Sequence, residues 1–487
     1  MSSERPLNER RDFIKSVTAG VLLGGVSRLA AEEKVATNDA VSTDIDLTEG
    51  HVLRTDGAVS GARNVVLESA REVPVTARTQ VLVCGGGPAG IAAALAAARA
   101  GADVRLIEVA GCLGGVWTAG LLTKILDSSN KSGIMRELLR LFAERGSAVA
   151  RDTQGTVYDP EIAKLVLEEL LVEAGVKILL HTRVVGAIVN DQNRLAAVLT
   201  ESKSGRQAWL ADRFIDCTGD GDLAAQAGCQ FDVGIGADCT CQPMSMLALL
   251  TGVDPDAISE YIRESGSAAK RRLLNLMEDS GLHPSYRAPT LRHLHSGIYS
   301  IMTNHEYGVS AFDNEAVSVA TIRARREVHD LVNGLRKLGG AWKDIAVVAT
   351  AEQIGIREGR RIRGRYHLTS EDLAQGLRHP EAVCRAAFPI DVHALSTSGN
   401  KEIDQQFKKG GLKPYDIPYP ALVAADVDGL LMAGRCISGD FVAHSSYRVT
   451  GNAVAMGEAA GLAAARSIEA GVLPHEFKWK QMQSATS

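Results

Sequence analysis

Residues 81–108 read VLVCGGGPAGIAAALAAARAGADVRLIE. A short apolar run, 81–84, feeds Gly85, Gly86 and Gly87. Pro88, Ala89 and Gly90 follow, and an alanine-rich segment continues without a breaker to Gly101. A second apolar run, 104–107, ends on Glu108. The order is strand, tight glycine turn, helix, strand, acid. In such a turn the first glycine allows the bend, the second lets the backbone approach a pyrophosphate, and the third lets helix pack closely on strand. The helix start presents free N–H groups and a positive dipole end to phosphates. Glu108 stands where a carboxylate accepts hydrogen bonds from an adenosine ribose. The stretch therefore reads as an adenine-dinucleotide site.

At 487 residues the chain exceeds one ordinary core, so about two domains plus insertions are expected. A charged content of 23% and a mean hydropathy near zero suit a soluble globular protein. The net charge of −5 gives no support to nucleic-acid binding. Apolar runs of about 18 residues are missing from the sequence, so no membrane span is expected. Arg10-Arg11 precedes a mildly apolar, glycine-containing run over 16–26. This resembles a twin-arginine export signal, with Glu9 where Ser or Thr is commoner, and it implies the Tat export machinery as partner and a periplasmic or secreted location. That route carries folded proteins, so a cofactor can be loaded before export. The eight cysteines include no C-x-x-C, and their spacing suits neither zinc nor an iron–sulfur cluster. No metal is expected.

The expected organisation is a signal over 1–31, a linker and leading strand over 32–73, a first nucleotide-binding part over 74–242, an inserted substrate domain over 243–418, a second nucleotide-binding part over 419–472, and a tail over 473–487. The fold class is α/β: a Rossmann-like domain, its parallel sheet carrying a small antiparallel layer, plus a mainly α or α+β insertion. Helices are expected over 131–146, 159–174, 256–264 and 314–338. Strands are expected within 62–75 and over 176–180, 183–189, 195–200 and 214–217.

Three further segments fit one long cofactor. Leu113-Gly114-Gly115-Val116-Trp117-Thr118 follows Glu108 within a few residues. Asp216-Cys217-Thr218-Gly219-Asp220-Gly221-Asp222 closes a short strand with a Gly/Asp turn. Ala433-Gly434-Arg435-Cys436 leads, through a loop, to a small-residue helix beginning near Gly451-Asn452-Ala453. The start of that helix can face a flavin where negative charge develops on reduction; plain packing through small residues is the alternative.

Together these motifs, in this order, resemble the FAD-dependent oxidoreductase family with a single dinucleotide-binding fold, within the wider glutathione-reductase-like superfamily. QPMSM and the Arg357-Glu358-Gly359-Arg360-Arg361 run also match, although family members often have another residue where Gly359 stands. The resemblance implies FAD as cofactor. It implies contacts at Gly85, Gly86, Gly87, Pro88, Ala89, Gly90 and Glu108, and at Gly114, Gly115, Trp117 and Thr118. Val184 matches a position that touches adenine. Thr218, Gly219, Asp220, Gly434, Arg435, Asn452 and Ala453 complete the expected cofactor set.

A second G-x-G-x-x-G does not follow the first, so no separate nicotinamide domain is expected. The substrate itself then donates the electrons, and a quinone, cytochrome, other protein or dioxygen accepts them. Arg357, Arg360 and Arg361 are candidates to clamp an anionic substrate, with ion pairs to Glu352, Glu358 or Glu371 as the alternative. His444 and Arg448 lie just before the last small-residue helix, where His444 could take a proton as hydride leaves. Asp391 and His393 form a rival acid–base pair. The expected function is an exported flavin-dependent dehydrogenase or oxidase of a small organic molecule. A flavin-dependent isomerase or dehydratase, or a flavin-bearing electron-transfer or assembly partner, are its rivals.

Overall fold

The computed structural model describes residues 71–147, 150–152, 155–396 and 413–479. The expected export signal, most of the linker and the end of the tail lie outside the described residues. Strand β1 (Val75–Cys84) becomes continuously buried from Val81 onward, as befits a strand covered on both faces. It pairs in parallel with β2 (Val104–Ile107) on one side and with the second half of β9 (Gly205–Asp216) on the other. Strand β6 (Lys177–Leu179) extends the parallel set beyond β2. Strands β7 (Arg183–Val189) and β8 (Leu195–Ser202) form an antiparallel layer on the first half of β9. Strand β18 (Leu430–Met432) returns from late in the chain to pair in parallel with the end of β9. Cys84 stands level with both Ile107 and Asp216, and Met432 is also level with Asp216. The carboxyl ends of four strands therefore share one edge, the place where open α/β sheets bind ligands.

Helix α1 (Pro88–Arg99) begins with proline in its first turn, where a missing N–H costs no hydrogen bond. Helices α2 (Gly133–Glu144) and α3 (Pro160–Glu173) follow. The last long helix, α9 (Thr450–Glu469), lies against α1 through glycines. A Cβ on Gly457 would stand 2.0 Å from the carbonyl oxygen of Ala89, and one on Gly461 2.0 Å from that of Ala93. From the same helix, the Glu458 carboxylate accepts the Ile134 N–H at 2.9 Å and so caps α2.

A second layer is built on four antiparallel strands in the order β12 (Thr290–His295), β13 (Ile298–Met302), β11 (Leu247–Thr251), β14 (Ala346–Thr350). Helices α5 (Ala269–Asp279) and α6 (Asn314–Lys337) pack their buried Leu273, Met277, Ala320, Ala324 and Val328 into this layer's core. The expected helix over 256–264 is replaced by two short 3-10 turns, Ser259–Tyr261 and Arg263–Ser265. Gly266 follows directly at a φ of +157°, which ends helical continuation there. The second core spans residues up to Ile354, whereas Ile362, Leu368, Leu373, Ala386, Tyr415 and Ile417 pack in the first. Among the described residues no helix is long and apolar enough to cross a membrane.

Candidate active site

The turn after β1 is shaped by what lies behind it. Gly85 has a φ of +102°, and a Cβ there would meet the Cys217 carbonyl oxygen at 2.3 Å. A Cβ on Gly90 would reach 1.7 Å from the Gly85 carbonyl oxygen. Gly87 differs: nothing lies within 4 Å of where its Cβ would be. It lines an open cleft together with Gly85, Pro88 and Ala89. Gly87 also caps α1 without any side-chain hydrogen bond, so the helix start faces the cleft with its backbone donors unmasked. Glu108, buried, accepts the Gly86 N–H and, at 2.7 Å, the Ala110 N–H. Burial pushes its carboxyl up, against the pull of those N–H donors. Its place in the cleft wall keeps the remaining oxygen lone pairs available to a ribose.

The turn after β9 is held from below. Asp216 accepts from Thr218 N at 3.0 Å, Thr218 Oγ1 at 2.7 Å and Ala224 N at 2.8 Å. Burial raises its carboxyl to about 6 in spite of these bonds. Asp220 projects into the cleft and takes Arg435 Nη2 at 2.6 Å. Gly359 packs directly against the Gly/Asp turn. A Cβ there would stand 2.0 Å from Asp220 Oδ1. The expected contacts Val184, Gly115, Thr218, Gly219, Gly434 and Ala453 line this same cleft.

A second cavity, of about 510 Å³, opens from the first and shares Val116, Gly355, Ile356, Arg435, Arg448 and Thr450 with it. That size suits a small molecule. Arg357 donates to Pro243 O at 2.6 Å and to Ser245 Oγ at 2.9 Å. Burial and the neighbouring Arg448 bring its guanidinium down to about 10. Arg448, with an 11% exposed side chain, donates to the Asp391 carbonyl at 3.0 Å and lies 3.7 Å from its carboxylate. His393 Nε2 lies 3.2 Å from Asp391 Oδ2. Burial alone would raise the Asp391 carboxyl, but His393, Arg448 and Arg357 together hold it well below the usual range. Burial and Arg357 lower His393 to about 4. The imidazole is thus neutral near pH 7: Nε2–H donates to Asp391, and Nδ1 remains as an acceptor.

Other expected site residues lie elsewhere. His444 is fully buried on helix α8 (Phe441–Tyr447), edge-on to Tyr447, and lines neither cavity. Burial, with Arg361 nearby, depresses its basicity strongly. Arg361 also lies outside both cavities. It is 2% exposed, pairs with the buried Glu358, and donates to the Gly439 and Gly234 carbonyls. Trp117 packs with Phe142 and Tyr158 in the core. The Thr118 hydroxyl is spent on the Leu113 carbonyl. Gly86, Gly90 and Gly114 support the cleft from behind without lining it. The sequence reading missed Gln353, Ile354, Gly355 and Ile356 on the cleft wall, and Lys124, Arg263, Lys270, Tyr286 and Arg292 in the second cavity. None of these sits in a motif.

The residues present fit FAD. Beyond the open face of Gly87, the Thr450 hydroxyl at the start of α9 is buried, unpartnered and in the cleft wall, while the expected contact Asn452 is wholly buried and lines neither cavity. Buried polar groups require partners, and a ligand lying from α1 toward the start of α9 supplies them. Dinucleotide turn, ribose carboxylate, Gly/Asp turn and second helix start define a flavoprotein. The chain belongs to the FAD dependent oxidoreductase family, whose model matches residues 80–485, and FAD is its cofactor. A comparison with curated sequences finds no match. Among solved structures it is similar to a geranylgeranyl bacteriochlorophyll reductase-like protein from Thermoplasma acidophilum (14% identity, TM-score 0.42, 81% of this chain and 79% of that one). It is similar too to the p-nitrophenol 4-monooxygenase PnpA from Pseudomonas putida DLL-E4 (13%, 0.45, 81% and 82%). A third is the flavin-dependent brominase Bmp2 (12%, 0.45, 84% and 82%).

Proposed function

We propose that this flavoenzyme is an exported dehydrogenase or oxidase that removes two electrons from a small alcohol or amine bearing an anionic group. The observation that carries the reading is the pair Arg357 and Arg448 in the wall of the second cavity, of which Arg448 also lines the cofactor cleft. Arg448 lies 3.7 Å from the Asp391 carboxylate, which His393 also engages, whereas Arg357 pairs with no carboxylate among the described residues. A second cation left without a counter-charge in a part-buried wall is costly, and a substrate anion relieves that cost. Bound FAD supplies the two-electron acceptor. The chain's own part is to orient and to take a proton. Arg357 and Arg448 hold the anionic group, which fixes the reacting carbon relative to the cleft. His393 Nδ1 accepts the O–H or N–H proton as the substrate loses hydride, and Asp391 fixes the tautomer and stabilises the imidazolium that forms. Electrons leave afterwards to a quinone, cytochrome, other protein or dioxygen.

The test is anaerobic. Holoenzyme is mixed with hydroxy acids, amino acids and uncharged alcohols of similar size, and loss of the flavin's visible absorbance is followed. Bleaching by acids but not by the uncharged set is expected, and Arg357→Met should weaken it. Bleaching by the uncharged alcohols alone would remove the anion clamp from the reading. Export is checked separately: replacing Arg10 and Arg11 by lysine should retain the protein in the cytoplasm.

A further inference from the structure

Two groups of cations line the second cavity, and only one faces the cofactor cleft. Arg448 lowers the Arg357 guanidinium there. The second group lies on the segment from Arg263 to α5. Lys270, half-buried at the start of α5, is surrounded by Arg292, Arg263 and Lys124. Asp391 lines the same cavity and acts on both Lys270 and Arg357. The cavity thus has two positive poles on separate segments of the chain, Arg357 with Arg448 and Lys270 with Arg263, and Asp391 acts on a member of each. Arg292 is satisfied by Glu264. Lys270 has no carboxylate partner among the described residues, and Arg263 makes only a 3.5 Å bond to the Gly266 carbonyl. Burial and the surrounding cations bring the Lys270 amine down to about 8. Burial and like-charged neighbours disfavour the charged lysine, and an anion bound in this part of the cavity wall would offset both.

We infer that the substrate is an organic dianion, with one anionic group on Arg357 and Arg448 and a second, carboxylate or phosphate, on Lys270 and Arg263. This rests on the second cavity being the substrate site. Ser267, also on the wall, adds a hydroxyl donor suited to either oxyanion. The arrangement makes the second pole a selector. A monoanion satisfies Arg357 and Arg448 but leaves the lysine pole unpaired, so the difference in affinity reads its contribution.

The experiment uses holoenzyme and ligands that cannot be oxidised at a hydroxyl or amine: butyrate, succinate, glutarate, adipate and 3-phosphonopropionate. Affinity is read by calorimetry and by the shift in flavin absorbance. At least one dianion should bind about tenfold tighter than butyrate or better, a difference of about 1.4 kcal/mol. The dicarboxylate length that binds best reports the separation of the poles. A phosphonate outranking every dicarboxylate identifies the second group as a phosphate. Lys270→Met and Arg263→Met should each bring the best dianion down toward the butyrate value, and Lys270→Arg should keep the preference. Equal binding of butyrate and all dianions overturns the inference and leaves the oxidoreductase reading standing, as does Lys270→Met weakening every ligand by one factor. Absence of binding by any anion, together with no bleaching by acids, overturns both.

Discussion

At the residue scale, His393 owes its properties to its surroundings. An isolated imidazole titrates near 6.5, but burial and Arg357 bring this one to about 4, while Asp391 holds it in a single tautomer. The groups facing it are Asp391, Arg357 and Arg448, with the rings of Tyr286 and His305 packed alongside. The rate of flavin reduction should therefore stay level from pH 8 to about 5 and fall only as pH nears about 4, where Nδ1 becomes protonated. Linkage has the same sign. Unfolded chains bind this proton from about 6.5 downward while the folded one resists to about 4, so stability is lost across that window as pH falls. Stopped-flow reduction checks the first statement: a rate that already halves near pH 6.5 would assign the proton to another group. The sequence put Arg357 among the candidates as a forked anion clamp, Arg448 by its place just before the last small-residue helix, and His393 by its spacing from Asp391. It could not distinguish them from His444 and Arg361, because proximity along the chain does not say which side of a short helix or strand meets a cavity. Lys270 escaped notice for a different reason. A lysine at the start of an amphipathic helix looks like a solvated one until the wall opposite is known.

At the element scale, the contact between α1 and α9 is a backbone-to-backbone approach. Gly457 and Gly461 touch carbonyl oxygens of α1, and Ala89 at that contact also lines the cofactor cleft. Gly457→Val cannot be relieved by a side-chain rotation, since the obstructing atom belongs to the main chain. It should cost at least the ~1–3 kcal/mol typical of overpacking and weaken FAD retention by shifting the start of α1. Urea denaturation and dialysis of bound flavin measure the two effects; wild-type values for both would mean that the helices can part without consequence. The motif elements were legible because glycine requirements and strand periodicity are local: β1, α1, β2, β7, β8, α2, α3 and α6 all lie where spacing put them. The segment over 256–264 was not. Its residues are compatible with a helix, and the choice of two tight turns is made by packing against the second layer. Nor could spacing reveal the four-stranded sheet, whose strands are joined by long excursions rather than by short hairpins, apart from β12 and β13.

At the scale of the whole molecule, the cofactor ties distant parts of the chain together. Wall residues come from Gly85 to Ala453, and removing FAD takes away the ligand that their unpartnered groups address. Apoprotein should melt lower than holoprotein, and adding FAD to a hundredfold excess over its Kd should return about 2.7 kcal/mol. Identical melting curves with and without FAD would show that the cleft is preformed and bears no binding energy on folding. The central sheet has a further consequence, one of timing. Its strand beside β9 is β18, and the cleft's last wall is the start of α9, both encoded in the final part of the chain. A ribosome that has translated the whole glycine turn, the second layer and Arg357 still holds a chain without β18 and the start of α9, and so without the full wall of the cleft. Cofactor capture is therefore a terminal event of synthesis, and a nascent chain cut short by a premature stop reports itself by remaining colourless.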